Sequence, residues 1–392
     1  MVLYLFTSSF PFGTGEGFLE DEIKVLSSSF ENIAIIPMFI HSNNQPRPVP
    51  YNVKVLSPIM NRRTKHNIFG LFNARSFLPY CKDFFINKVY KNKQRLRAWT
   101  SEYLHINIIL NSPIVRSIKK TIEKGDIVYS YWGRDAYALC LFWKNRCRFV
   151  SRFHGSTDLW EDNSDNYKPL RHQIIQHLDL SVSVSEKGRS YLDSKYPGGH
   201  VIVGRLGNND YGVSKRSSDG ILRVLSCSNI IALKRVERIL QSVSLIKHKK
   251  IEWTHIGSGP LQKNLKEMID HKTTTNLNVV LTGQLSHDEV IEYYLKHPVD
   301  VFVNLSSIEG IPVSIMEAIS FDIPVVATDV GATSEIVNQQ TGILLSDNPS
   351  CQEVAAAIEI LGEKELHPRL FWRNNYNSKK NYCEFVSRLK SI

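Results

Sequence analysis

The chain has 392 residues, 42% of them hydrophobic and 22% charged, with a formal net charge of +10. That length exceeds one ordinary core and points to two domains of ~150–200 residues, in a composition typical of a soluble globular protein. No apolar run reaches the ~20 residues a membrane-spanning helix needs, and six scattered cysteines without C-x-x-C or metal-ligand spacing read as reduced thiols of a cytoplasmic protein.

The N-terminal stretch from Met1 to Gly13 lacks the basic region and small-residue cleavage site of a signal peptide, so its apolar run predicts a first strand. Buried strands are predicted over 2–9, 32–39, 126–132, 148–154, 178–185 and 200–206, with longer helical patterns between them. The polar, turn-rich segment 208–220 reads as a linker. The strand pattern then resumes over 221–228, 251–257, 279–283, 300–306 and 323–329. Continuous apolar strands separated by helices predict parallel sheets covered on both faces, and two such sets predict two doubly wound domains.

The charge is unevenly placed. Residues 61–120 hold thirteen Lys or Arg against two Asp or Glu, interleaved with Phe69, Phe72, Phe77, Phe84, Phe85, Tyr90 and Trp99. Such a stretch reads as a membrane-surface face, a nucleic-acid patch or a solvated helical face above a core. No nucleic-acid motif supports the second reading, and no nucleic-acid partner is expected. The acidic clusters Glu20-Asp21-Glu22 and Glu161-Asp162 read as helix-start or solvated charges.

In doubly wound sheets ligands bind beyond the carboxyl ends of the strands, which singles out the loops there. In the loop following 300–306, Glu309 and Glu317 stand eight residues apart. Pro312 suits a first helical position, and the helix is expected from Val313 to about Phe321. Free N–H groups around Gly310, Ile311, Pro312, Val313 and Ser314, proline excepted, would then hold a phosphate. Glu317, further inside that helix, would accept hydrogen bonds from a vicinal diol such as a ribose. The bland alternative makes Glu309 a helix-dipole partner and Glu317 an exposed helix residue.

The surrounding residues sharpen this. Glu309-Gly310, Pro312, Glu317-Ala318, Pro324 to Thr328, Gly331, Glu335-Ile336-Val337 and Gly342 together resemble the E-x7-E signature of retaining glycosyltransferases of family 4, which have the GT-B fold. Phe10-Pro11 with Gly13, Gly15 and Gly17 is similar to that family's glycine-rich N-terminal loop. His154-Gly155 resembles its His motif, Ser185-Glu186 its strand end, and Arg205 to Asn208 with Asp210 its NG-x-D turn. Lys234 stands where the family has a phosphate-binding lysine, and Gly257 to Leu261 matches G-x-G-P-L. Residues 371–385 resemble the closing helix that returns to the first domain.

The resemblance implies an N-terminal acceptor-side domain over 1–207, the linker 208–220, a nucleotide-sugar domain over 221–370 and a returning helix over 371–392. It implies a nucleotide diphosphate sugar donor of UDP or GDP type and transfer with retention to a hydroxyl of a polyprenyl-linked glycan. Such enzymes act in bacterial surface-polysaccharide assembly at the cytoplasmic membrane face, where the 61–120 patch would meet anionic lipid. By the same resemblance Lys234 and the start of the 313 helix would neutralise the diphosphate leaving group, and Glu317 would hold the ribose. Glu309 and His154 would line the transferred sugar, and Gly13 and Gly15 would let the backbone approach donor and acceptor. No D-x-D signature is present, and no metal or other cofactor is expected. Two departures stand out. Asn229 replaces the family's arginine, with Arg235 or Arg205 as candidate substitutes, and Asp322 replaces the usual glycine after the signature helix. A non-catalytic GT-B partner protein and a sugar-nucleotide epimerase of similar architecture are the alternative readings.

Overall fold

A computed structural model describes residues 1–13, 15–40, 45–60, 72–143, 145–155, 158–161, 167–272 and 275–392. They divide into two compact units, one of Met1–Arg205 with Tyr382–Ile392 and one of Leu206–Asn381.

The first unit is built on β1 (Val2–Thr7), β2 (Asn32–Pro37), β3 (Val53–Val55), β4 (Ile127–Ser130), β5 (Arg148–Phe153), β6 (Leu180–Ser183) and β7 (Val201–Val203). They form one parallel sheet in the order β3-β2-β1-β4-β5-β6-β7. Alternate residues of β1 serve opposite layers: Tyr4 and Phe6 join a core with Ile36, Val128 and Phe149. Leu3 and Leu5 join another with Ile23, Leu180, Phe385 and Leu389. Burial on both faces explains why the strand reads as an unbroken apolar run.

The second unit repeats the scheme with β8 (Ile221–Cys227), β9 (Lys250–Ile256), β10 (Leu277–Gly283), β11 (Val301–Asn304), β12 (Val325–Thr328) and β13 (Gly342–Leu345). Its parallel order is β10-β9-β8-β11-β12-β13. Val224, Val301, Val303 and Val326 pack with Ile239 and Leu240 of the helix Val236–Val243 and Ile358 and Leu361 of the helix Cys351–Glu363. In each sheet the order reverses beside the first strand, at β1–β4 and at β8–β11. Those reversals place ligand crevices at the carboxyl ends of these four strands.

All eleven predicted strands form. The sequence missed β3 and β13, both edge strands. The first is only Val-Lys-Val, and the second is half-exposed throughout, so neither shows a long buried run. The division also differs from the expected boundaries. Segment 208–220 is stapled to the second unit: Ser214 N–H donates to the Phe321 carbonyl at 2.9 Å, Val299 N–H to the Lys215 carbonyl at 2.9 Å, and Ser217 N–H to Asp300 at 2.8 Å. The return to the first unit starts at Tyr382 rather than 371. The helix Pro368–Asn375 stays with the second unit, where Trp372 Nε1 donates to Asn208 Oδ1 at 2.8 Å.

Glu20, Asp21 and Glu22 lie in the first turn of the helix Leu19–Ser27, as the helix-start reading expected, but Glu22 and Glu161 are not solvated charges. Glu22 is fully buried on Arg152 at 2.6 Å, and Glu161 lies 3.2 Å from buried Arg171. Asp162 lies outside the described residues, as do residues 61–71 of the basic stretch. Among the described residues no helix is long and apolar enough to cross a membrane.

Candidate functional site

In the second unit the site forms at the β8–β11 reversal. After β8 the chain makes a short turn, Ala232–Lys234, and Arg235 follows in the left-handed conformation at φ +49°. After β11 the loop 305–312 leads into the helix Val313–Ser320. Lys234 Nζ donates to Glu309 Oε1 at 2.5 Å, and Asn304 Nδ2 donates to the same oxygen at 3.3 Å. Ser307 N–H donates to the Leu233 carbonyl at 2.8 Å, so the two loops are joined by backbone as well.

Pro312 is the N-cap, one residue earlier than the expected first helical position, and no side chain caps this helix start. The first N–H groups, at Val313 and Ser314, thus stand without a capping side chain beside half-buried residues. Ile311 is buried and anchors the turn. The Gly310 carbonyl accepts from Ala332 N–H at 2.9 Å. Gly331 sits at φ +57°, and a Cβ there would come within 2.1 Å of the Glu309 carbonyl oxygen, so glycine is required for this close approach. Glu317 is nearly buried, and His287 Nε2 lies 3.0 Å from its Oε1. Cys227, at the end of β8, feels the charges of both Glu317 and Lys234, and burial pushes its thiol up to about 12. A Cβ at Gly257 would come within 2.0 Å of the Ser228 carbonyl oxygen, which lies 3.1 Å from Nε2 of His255 in β9. Burial pushes His255 down to about 4.

The structure thus brings Lys234, Glu309 and Asn304 together, with Glu317 a short way along the following helix. Asn229 is exposed, and its carbonyl accepts from Ile231 N–H at 3.0 Å. The suggested substitutes for the missing arginine are engaged elsewhere. Arg235 donates to the Asp347 carbonyl at 2.7 Å, and Arg205, in the first unit, lies 3.3 Å from Glu186. Asp322 takes φ +69°, the left-handed place of the usual glycine, and caps Arg369 N–H at 2.9 Å.

In the first unit the loop after β1 is wound around one carboxylate. Glu16 Oε1 accepts from Ser8 N–H at 2.9 Å and Trp132 Nε1 at 2.6 Å; Oε2 accepts from Ser9 N–H at 2.8 Å and Phe10 N–H at 2.7 Å. Gly13 needs its left-handed φ of +73°, but at Gly15 a Cβ would meet only Ser9 Oγ at 3.9 Å. Within this unit, therefore, no clash enforces Gly15. His154 is held by Tyr131, whose carbonyl lies 2.9 Å from Nε2, and its ring packs 4.3 Å from that of Trp132. A carbonyl only accepts, so Nε2 carries the proton and Nδ1 remains an acceptor. Burial pushes His154 down to about 4, which keeps it neutral. Asp158 fixes the turn by accepting from His154 and Gly155 N–H.

Sequence reasoning missed Glu16, Trp132, Asn304 and His287. Asn304 left a trace as an amide ending an apolar strand. His287 follows Ser286 in a capping box, a signal that marks the helix start and says nothing of Glu317.

Residues 214–380 match the family model described as glycosyl transferases group 1. The amylovoran biosynthesis glycosyltransferase AmsK of Erwinia amylovora is 25% identical over 226 residues, 55% of this chain and 55% of that protein. The putative colanic acid biosynthesis glycosyltransferase WcaL of Salmonella typhimurium is 24% identical over 226 residues, 54% of this chain and 55% of its own. The chain thus spans about half the length of these curated relatives. Among solved structures, the lipopolysaccharide outer core galactosyltransferase WaaB superposes with a TM-score of 0.68 at 14% identity, covering 100% of this chain and 99% of that one. HepE of Anabaena, solved with UDP, gives 0.67 at 13% identity, with 100% of both chains covered. The chain therefore has the GT-B fold, and its residues 214–380, under half of its length, are similar to the glycosyl transferases group 1 family.

Proposed function

We propose that this protein is a retaining glycosyltransferase that moves a sugar from a nucleotide diphosphate donor to a hydroxyl of a growing, lipid-linked glycan of a bacterial surface polysaccharide. The observation that carries the reading is Lys234 held on Glu309 at the β8–β11 reversal, ahead of a helix start that no side chain caps. Lys234 and the N–H groups of Val313 and Ser314 would take the diphosphate and stabilise it as leaving group. Glu317 would hold the ribose hydroxyls, exchanging its contact with His287. Glu309 would turn from Lys234 toward the sugar, and His154 Nδ1 would accept from a sugar hydroxyl. Attack from the face the diphosphate leaves would let the departing phosphate take the acceptor proton, which gives retention without an enzyme nucleophile.

UDP is the first donor base to test, since HepE was solved with UDP and with UDP-glucose. That no cation is needed is part of this proposal and is checked by activity in a chelator. Peripheral attachment to the cytoplasmic membrane face is supported by the helix Ala74–Ile86. It leaves Phe77, Leu78, Phe85 and Ile86 exposed among Arg75, Lys82 and Lys88.

The test is thermal unfolding with UDP, GDP, ADP and CMP, followed by donor turnover. A ligand at ~100 times its Kd stabilises by ~2.7 kcal/mol. Stabilisation by one nucleoside diphosphate, lost in Lys234→Ala, together with hydrolysis or transfer of its sugar, supports the enzyme. Binding without turnover supports the accessory reading, which the engagement of Arg235 and Arg205 away from Asn229 favours. An epimerised donor supports the epimerase.

A further inference from the structure

The first unit has a second feature that the proposed reaction does not use. Arg75, Arg116, Lys119, Lys120 and Arg146 line a single cavity. Among the described residues none of the five is ion-paired to a carboxylate. Their partners are neutral oxygens: Arg116 donates to Asn111 Oδ1 at 2.7 Å, Lys119 to the Phe142 carbonyl at 3.3 Å and Arg146 to the Lys119 carbonyl at 3.1 Å. These bonds hold the cations in place without neutralising them. Burial lowers the Lys119 ammonium, and the charges of Arg75 and Arg146 lower it further. One wall is the Trp143 ring, whose centroid lies 5.8 Å from Lys119 Nζ.

Ordinary helix electrostatics explains only part of this. Lys119 and Lys120 lie in the last turn of the helix Pro113–Thr121, where cations favour the macrodipole. Arg75 opens the helix Ala74–Ile86, where a cation is unfavourable, and Arg146 stands in the loop ahead of β5. Three separate elements therefore converge on the same space. The cavity lies toward the amino ends of β4 and β5, because the Lys119 helix leads into β4 and the Arg146 loop into β5. The glycine-rich loop and His154 follow the carboxyl ends of β1 and β5, at the opposite edge of the same sheet.

We propose that this cavity binds a phosphate-bearing anion. Three guanidinium forks and two ammonium groups match the geometry and charge of a phosphate, which a lone lysine-rich surface does not. The phosphate comes from a lipid head group or from free solution. The exposed apolar stripe on the helix Ala74–Ile86, which carries Arg75 in its first turn, favours the lipid, and this choice rests on the membrane reading above, while the site itself does not.

The experiment measures binding of inorganic phosphate and pyrophosphate to the full chain by calorimetry. It uses a Lys234→Ala background, so that the donor site adds nothing. Arg75→Gln with Arg146→Gln is compared with Lys91→Gln plus Lys93→Gln, an equal change of charge on exposed residues outside the cavity. We expect the cavity pair to weaken binding at least ~tenfold and the control pair to leave it within ~twofold. If the cavity pair does not fold to a wild-type unfolding midpoint, Arg75→Gln alone, on an exposed side chain, replaces it. Flotation on phosphatidylcholine vesicles with and without phosphatidic acid then separates the sources. Binding to the doped vesicles that free phosphate competes away and the cavity pair loses assigns the site to a lipid head group. Solution binding lost in the cavity pair with unchanged flotation assigns it to a free anion. Equal losses in both pairs, or no binding of any of the three probes, overturns the site.

Discussion

Lys234 Nζ donates to Glu309 Oε1 across 2.5 Å, so the cation expected to meet a diphosphate is already paired with the carboxylate expected to meet the sugar. The pair is three-quarters or more shielded from water on both sides. A diphosphate entering this site must compete with Glu309 for the ammonium. Lys234→Ala should then weaken nucleoside diphosphate binding by ~1.5–3 kcal/mol, the worth of a charged hydrogen bond. Glu309→Gln should bind the nucleotide as tightly as wild type or tighter, yet turn over more slowly. Calorimetry beside donor turnover checks this; weaker binding in Glu309→Gln contradicts it.

Glu317 shares its Oε1 with His287, whose ring is half-exposed. Glu317→Ala should cost ~10–100-fold in affinity for the nucleoside diphosphate, the worth of one charged hydrogen bond at the proposed ribose contact. The 2′-deoxy form should bind wild type and variant more nearly alike. Equal discrimination between ribose and deoxyribose in both proteins would remove Glu317 from the sugar.

His154 and His255 are both held down to about 4 by burial, against about 6.5 in an unfolded chain. Between these values the unfolded chain binds more protons, so stability falls as the pH drops from 6.5 toward 4. Each histidine contributes up to ~3 kcal/mol to that fall. Denaturant unfolding of wild type and His154→Gln at pH 7.5 and 5 should show a smaller acid loss in the variant. The same burial predicts that His154 does not shape the rate profile near pH 6.5.

Glu16 accepts four hydrogen bonds from the loop after β1 and from Trp132, the ring that packs on His154. Glu16→Gln puts an NH2 group against N–H donors. It should destabilise the fold by ~1–3 kcal/mol through unsatisfied buried groups. Faster hydrogen exchange at Ser9 and Phe10, with the second unit unchanged, is the expected signature.

Gly331→Ala should cost ~2–3 kcal/mol, from a left-handed φ and a Cβ 2.1 Å from the Glu309 carbonyl oxygen. Because the strain falls on Glu309, turnover should drop more than nucleotide affinity. An unfolding midpoint equal to wild type would contradict the packing.

What could be read in advance, and what could not, follows from range. Strands buried on both faces are continuous apolar runs, so the eleven long ones, the doubly wound class and the two-sheet plan were legible residue by residue. Pro312, Glu309 and Glu317 were legible as local chemistry because a helix start and its flanking carboxylates occupy one short stretch. Asp322 in the left-handed place of glycine was legible for the same reason. The short edge strands β3 and β13 were not, since three residues in one and four half-exposed residues in the other carry no period. Contacts between residues far apart in the chain were beyond any local pattern: Lys234 on Glu309, His287 on Glu317, Trp132 on Glu16, and Glu22 buried on Arg152. The placement of 208–220 against the second unit was equally hidden, because a polar segment reads as a linker until backbone bonds such as Ser214 to Phe321 fix it. Composition and periodicity determined the fold class, since burial acts on each residue singly. Which carboxylate meets which cation was decided only when the parallel order β10-β9-β8-β11-β12-β13 set two distant loops side by side.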